Sequence, residues 1–404
     1  MPGRIALIGA LDTKGAEFGF VRQAIAERGH EVLLIDTGVM EAPLLEPDVA
    51  AEAVAEAGGA SLAALRERKD RGEAIRVMAA GAAVVAARLA AEGKIDGVLS
   101  MGGSAGTAVG TAAMRALPVG FPKVMVSTVA AGDTKAYVGT KDITMIPSVV
   151  DVAGINRISR EIFTRAAGAI CGMVEMAPRK GEDRPLLGAS MFGNTTKAVD
   201  RGRSVLEEHG YEVLVFHCTG TGGATLESLV EAGFVDGVFD ITTTEWADEI
   251  AGGVMAAGPN RGDAAAARGI PQVIAPGCVD MVNFWARSTV PERYQQRQLY
   301  EWNPNVTLMR TTPEENAEIG RILAEKANRS TGPVAFLLPL KGVSVLDSPG
   351  NLFWNPEADQ ACFEAIKANL KPSIPVIEMD CNINDPEFAD KAAELLLEML
   401  QRRR

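Results

Sequence analysis

The segment Met101–Thr107, MGGSAGT, sets three glycines and two hydroxyls where an aliphatic run gives way to an alanine-rich one. Gly102, Gly103 and Gly106 let backbone N–H groups approach a ligand closely, and Ser104 and Thr107 add hydroxyl donors. A helix starting at this point favours an anion at its N-terminus, so the chemistry to expect is phosphate binding. No lysine follows the last glycine, as a Walker A loop requires, and the spacing is not G-x-G-x-x-G. A packing turn is the competing reading. A second loop, ALDTKGAE (Ala10–Glu17), offers Asp12 or Thr13 as a helix cap. Lys14 directly after them opposes the helix dipole. A bound phosphate removes that conflict, with Lys14 as counter-charge and Asp12 available to a magnesium ion. A third, Ser127–Asp142, contains Thr128 and repeats the Asp-Thr-Lys triplet at Asp133–Lys135. It suits a triphosphate or is an ordinary connection.

The later half carries a different set. His217 opens HCTGTGG, where Gly220, Gly222 and Gly223 resemble a ligand cradle. His30 and His209 lie in plain helix-to-strand connections, which leaves His217 as the histidine placed for chemistry. DITTTEWAD adds Asp240 and Glu245, and Thr243 or Thr244 suits a helix cap. His217, Asp240 and Glu245 together would form an acid/base or metal cluster. Asp280, Asn283, Lys341 and Asp347 place further polar groups on neighbouring loops. Pro291–Tyr300 reads as an amphipathic helical segment with a buried aromatic edge, or a surface that stacks on a base.

Positioning such loops is the task of a repeated grammar: a short aliphatic run, a glycine turn, then an amphipathic alanine-rich stretch. Strands are expected at Arg4–Gly9, Glu31–Asp36, Gly97–Ser100, Lys123–Ser127 and Ile143–Ile146, with helices between them. Strands alternating with helices imply a parallel sheet covered on both faces. The grammar then restarts. RGHEVLLIDTG answers HGYEVLVFHCTG, IDGVLSMGG answers VDGVFDITT, PKVMVSTV answers PQVIAPGC, and DITMIPSV answers NVTLMRTT. Gly29 and Gly210 lie 181 positions apart and Asp96 and Asp236 lie 140 apart, so the first copy carries about 41 additional residues around Glu46–Gly93. Two homologous doubly wound, Rossmann-like parallel-sheet domains follow, spanning 1–182 and 183–404, the second extended by strands near Val334 and Val376 and a helix from Pro386. Ligands of such sheets bind beyond the carboxyl ends of the strands, where these loops fall.

Composition narrows the function. Across 404 residues the chain has 40 Lys and Arg against 52 Asp and Glu, a net charge of −12, which argues against broad binding to nucleic acid or an anionic membrane. Five scattered cysteines without a C-x-x-C pair read as reduced thiols. The apolar tract between Arg76 and Arg88 is too short to span a bilayer, and a soluble cytoplasmic protein is expected. The 42 glycines suit close backbone approaches at strand ends.

Read together, GGSAGT, STVAAGDTKAYVGTKD, PSVVDVAGINRIS, MFGNTTKAV, DITTTEWAD, KGVSVLDSPG and NINDPEFA resemble an uncharacterised bacterial, fungal and plant family. That family shares the ATP-binding N-terminal domain of the tomato mosaic virus resistance protein. The resemblance covers nearly the whole chain. It implies two Rossmann-like domains, ATP with Mg2+ in the first, a homodimer, and a TIM-barrel partner, because the plant protein continues into such a barrel. Where the family reads His-Ile-Asn-Asp, this chain has Asn382-Ile383-Asn384-Asp385. The resemblance supplies no reaction. Two expectations follow: an ATP-dependent enzyme of small-molecule metabolism, its unknown substrate held by the second domain, or a nucleotide-binding protein that docks a partner without catalysis. Glu245 and His217 separate them, because an enzyme needs both facing an open cleft.

Overall fold

In the computed structural model, which describes residues 2–176, 181 and 183–403, the chain divides into two compact units, Met1–Lys180 and Gly181–Arg404. The expected boundary after residue 182 falls on Glu182, outside the described residues.

Unit 1 is built on five strands: β1 (Arg4–Gly9), β2 (Glu31–Asp36), β3 (Gly97–Gly102), β4 (Lys123–Ser127) and β5 (Thr144–Pro147). All pair in parallel, in the order β2-β1-β3-β4-β5. Alternate residues of these aliphatic strands pack on opposite faces. Ala6, Ile8, Val98 and Met125 meet the helices Arg71–Ala91 and Ser104–Arg115. Ile5, Leu7, Leu99 and Val124 meet Leu11–Glu27 and Arg157–Glu175. Each fully buried aliphatic side chain contributes about 1.5–3 kcal/mol, which explains why the strands read as unbroken apolar runs. The additional residues of the first copy form the helices Ala51–Ala57 and Leu62–Arg68 and lead into Arg71–Ala91. That last helix corrects one expectation. At 21 residues, with a mean hydropathy of 1.6 over an 18-residue window, it is long and apolar enough to cross a membrane. Here its Val77, Met78, Ala82, Val85, Ala86 and Leu89 lie in the unit 1 core.

Unit 2 repeats the plan with β6 (Leu186–Met191), β7 (Glu212–His217), β8 (Gly237–Thr242) and β9 (Gln272–Gly277). It then inserts β10 (Met281–Phe284), β11 (Leu299–Asn303) and β12 (Val306–Arg310), and returns with β13 (Val334–Pro339) and β14 (Val376–Met379). The main sheet runs β14-β13-β9-β8-β6-β7, all parallel. Read from β7, this is the unit 1 order with one strand added. The two doubly wound parallel sheets are as the repeat predicts, with one correction. The NVTLMRTT segment, aligned above with β5, forms β12 of a separate antiparallel sheet, β10-β12-β11, and β13 takes the position matching β5. The two segments share an apolar pattern, which does not distinguish a parallel strand from an antiparallel one. Pro291–Tyr300 is likewise not a helix. It contains a single 3-10 turn, Glu292–Tyr294, and runs into β11. Tyr294 packs its ring on Phe284 and donates its hydroxyl to the Ala251 carbonyl.

Candidate functional site

The strand order 2-1-3-4-5 places a crevice beside β1, where the chain winds away to opposite sides of the sheet. A cleft of about 520 Å³ lies at this point. Ala10 and Thr13 line it from the loop after β1, Thr37, Val39 and Met40 from the loop after β2, and Ala105 and Gly106 from the loop after β3. Its far wall comes from the additional helices of the first copy, through Leu65, Ala74, Ile75 and Met78, with Lys69, Asp70 and Arg71 at their junction.

The residues singled out in the unit 1 sequence divide into two groups. Thr13 and Gly106 line the cleft, as does Ala105 between Ser104 and Gly106. Ser104 is exposed at the first turn of its helix, and Gly103, the N-cap, has no side chain to satisfy the first N–H groups. The others are engaged within the protein. Gly102 packs so closely on Gly106 that a Cβ there would lie 2.9 Å from its Cα. Thr107 is fully buried, donates to the Gly103 carbonyl at 2.8 Å and lies 2.6 Å from Ser127 Oγ. Asp12 caps nothing: Ala10 is the N-cap, and Asp36 Oδ1 accepts the Leu11 N–H at 3.0 Å. Asp12 Oδ2 accepts the Met40 and Glu41 N–H groups at 3.3 and 3.4 Å, tying down the loop after β2. Lys14 Nζ donates to the Val152 carbonyl, and Glu17 accepts the Gly154 N–H at 2.5 Å, so both hold the loop after β5. Thr128 is exposed beside a separate cavity lined by Pro147, Ser148 and Val149.

In unit 2, Asp240 and Glu245 are brought together, but around Arg261 and not around His217. The guanidinium donates to both Asp240 oxygens at 2.8 and 2.6 Å, to Glu245 Oε2 at 2.9 Å and to Glu227 Oε1 at 3.3 Å. Arg261, Asp240 and Glu245 are at most 4% exposed. Burial lowers the Arg261 pKa, yet Asp240 and Glu245 reverse that and hold it well above its ordinary value. Glu245 Oε1 also accepts the N–H groups of Gly220 and Gly223 at 2.8 and 3.0 Å, at the start of the helix Thr221–Glu231. The expected ligand cradle is therefore filled by the protein's own carboxylate. A Cβ on Gly223 would lie 1.9 Å from Glu245 Oε2. Thr244 occupies the N-cap position of the next helix without capping it, and Thr243 donates to the Ala275 carbonyl. The glycine loop of unit 2 follows β7, which stands in its sheet where β2 stands in unit 1, so its counterpart is the Thr37 loop and not Gly102–Gly106.

His217 faces different surroundings. Its ring stacks on Phe192 at 5.4 Å and an interplanar angle of 21°, and it lines a pocket of about 200 Å³ with Asn194, Thr219, Asn283 and Trp302. Among the described residues no hydrogen bond joins the His217 ring to Asp240 or Glu245. Of the other polar groups on these loops, Lys341 pairs with Asp380 at 3.0 Å. Asp280 and Asp347 enter a buried network in which Arg310 reaches Asp347 at 3.3 Å and Asp359 at 3.0 Å, and Ser344 donates to Asp280 at 2.9 Å. Burial, and then the Asp347 charge, push the Asp280 and Asp359 carboxyls upward. Arg261 and Asp359 stand in no local motif, and Arg310 lies within NVTLMRTT, whose apolar pattern carries no sign of a buried ion pair. Asn382 donates Nδ2 to the Lys341, Gly342, Ser344 and Asp347 carbonyls, so its amide pins that loop. All five cysteines are free and buried. Among the described residues the group with metal-ligand spacing is Cys381, Asp385 and Glu387, apart from both clefts.

Residues 3–179 match the N-terminal domain of the uncharacterised protein family UPF0261, and residues 184–400 match its C-terminal domain. A UPF0261 protein of Clostridium tetani is 50% identical over 404 residues, the full length of both chains. The ToMV susceptible protein tm-1(GCR26) of Solanum lycopersicum is 41% identical over 337 residues, covering 81% of this chain and 45% of that one. Among solved structures, Acinetobacter baumannii MurG is 13% identical with a TM-score of 0.22 over 100% of this chain and 95% of that one. UDP-N-acetylglucosamine 2-epimerase from Rickettsia bellii is 9% identical with a TM-score of 0.25 over 100% and 98%. Scores this low carry no argument, and the fold class rests on the strand pairing itself. The full-length relative and the paired domain matches agree: the chain belongs to the UPF0261 family.

Proposed function

We propose that unit 1 is a nucleotide-binding domain that takes ATP in the cleft beside β1. The observation that carries this is the meeting of an uncapped helix N-terminus, at Gly103–Gly106, with an apolar wall at the switch point of a parallel sheet. The free N–H groups of the first turn suit a phosphate. Val39, Met40, Leu65, Ile75 and Met78 give an apolar face for a base, and Thr13 and Thr37 add hydroxyls beside it. Lys69 and Arg71 supply positive charge at the rim. Magnesium fits here as a companion of the phosphates. Asp12 already accepts two N–H groups and Asp70 caps the helix Arg71–Ala91, so neither is an open metal seat.

The catalytic half of the enzyme reading loses its acid/base pair, because Glu245 and Asp240 are held by Arg261 inside unit 2. That packing favours ligand binding without proton transfer by these carboxylates. Calorimetric titration of the full chain with ATP, ADP and NAD, with and without Mg2+, tests the proposal. ATP binding that Arg71→Ala weakens is expected, and no ATP binding at millimolar concentration overturns it. Lys14→Ala tells the two roles of that lysine apart. Lost stability with affinity retained matches its bond to Val152, whereas lost affinity at full stability assigns it to the ligand.

A further inference from the structure

The unit 2 pocket differs in chemistry from the unit 1 cleft. Among the described residues no Lys, Arg, Asp or Glu lines its 200 Å³. A charged ligand entering it would lose water without gaining a partner. Its walls are aromatic and amide: the stacked rings of Phe192, just after β6, and His217, at the end of β7, the half-exposed Trp302 indole from β11, and Asn194 and Asn283. Met255, Val306 and Leu308 complete an apolar surface.

Asn283 shows what such a ligand must offer. Its backbone N–H donates to Asp248 Oδ1 at 3.0 Å and its Nδ2 to Asp248 Oδ2 at 2.7 Å. Asp248 Oδ1 also takes the Met255 N–H at 3.2 Å. The carboxylate thus fixes the amide with its nitrogen toward Asp248, leaving Oδ1 as the free arm. That oxygen is buried and, among the described residues, has no hydrogen-bond partner. A buried acceptor without a donor is costly, and a ligand N–H or O–H removes the cost.

We propose that this pocket binds an uncharged, planar aromatic or heteroaromatic molecule that donates an N–H or O–H to Asn283 Oδ1. Size limits it to roughly six to ten heavy atoms, since a cavity of about 150 Å³ holds benzene. Its position beyond the carboxyl ends of β6 and β7 is where a parallel sheet accepts ligands. This site is independent of nucleotide binding by unit 1.

The test uses benzamide as probe and methyl benzoate as its counterpart without a donor. Both are titrated into the full chain by ligand-observed NMR at pH 8.5, where Asp248 is ionised. Saturable benzamide binding of roughly millimolar affinity, the scale that nine heavy atoms support, is expected, with methyl benzoate about tenfold weaker. Trp302→Ala and His217→Ala, both at exposed positions, should each weaken benzamide several-fold. Equal affinity for the two probes overturns the donor assignment. Affinity unchanged in both variants places the probe elsewhere, and no saturable binding of either probe removes the pocket from consideration. Benzamide binding that persists when ATP binding fails shows the two sites to be separate.

Discussion

Units 1 and 2 lay out the same core strand order but treat the helix N-termini at their carboxyl edges in opposite ways. In unit 1 the helix after β3 begins at Ser104 behind a glycine, and its first N–H groups meet a large cleft. In unit 2 the helix after β7 begins at Thr221, and its first N–H groups are taken by Glu245, which Arg261 neutralises. By the 140-residue offset of the repeat, Glu245 corresponds to Ala105. One copy therefore holds a methyl group where the other holds a carboxylate, which in unit 2 reaches across to the loop after β7. The insertions follow the same division. Helices with Lys69 and Arg71 wall the unit 1 cleft, whereas an antiparallel sheet walls an uncharged pocket in unit 2.

The largest effect should come from removing the charge that makes the closed edge tolerable. Arg261→Met leaves Asp240 and Glu245 buried without their cation, and unit 2 should lose about 3–5 kcal/mol, read as a fall in the urea midpoint. A loss under about 1 kcal/mol would contradict the structural role given to those carboxylates.

Next in size is a pH effect confined to unit 2. Burial raises the Asp248 carboxyl to about 7, despite the N–H groups from Asn283 and Met255 that favour its charge. A raised carboxyl pKa means that the folded state holds the proton longer than the unfolded state. Stability is thus lost as pH climbs from the unfolded value of about 3.9 to about 7, and the loss is complete above. Asp248→Asn does not titrate. Its stability relative to the wild type should improve by about 3–4 kcal/mol between pH 4 and pH 8, a shift of roughly three units at about 1.4 kcal/mol each. Parallel pH profiles for the two proteins would refute this.

Ala105→Glu sets a carboxylate in the first turn of the helix after β3, beside the cleft. The new carboxylate should compete for the N–H groups at Gly103–Gly106 and weaken ATP binding at least tenfold, about 1.4 kcal/mol, in calorimetry with the fold intact. Undiminished ATP affinity would move the phosphate away from this helix. Thr107→Val should do the least. Thr107 donates to Gly103 and pairs with Ser127, so stability drops by about 1 kcal/mol in urea titration while ATP affinity holds within twofold.

Much of this architecture was legible in the chain. Aliphatic runs ending in glycine, and three of the four repeated segments, place the strands and reveal the duplication. The family motifs lead to the same two domains. The cleft loops were legible too, because Gly102–Gly106 follows a strand and opens a helix. Several roles were not. Asp12 and Lys14 carry the types a phosphate site needs, yet each bonds to a loop beyond its own turn, at Met40 and Val152. Asp240, Glu245 and His217 look like one cluster in sequence, but Arg261 draws the two acids inward while Phe192 stacks on the histidine.

The sequence by itself determined what depends on periodicity and turn chemistry: strand and helix alternation, the parallel class, the duplication and the loops at the sheet edges. Only the tertiary structure decided which polar groups remain free at those edges. A buried carboxylate takes whichever N–H or guanidinium the fold brings to it. For Glu245 the partner is Arg261, 16 residues on, and for Asp347 it is Arg310, 37 residues back, separations that no local motif records.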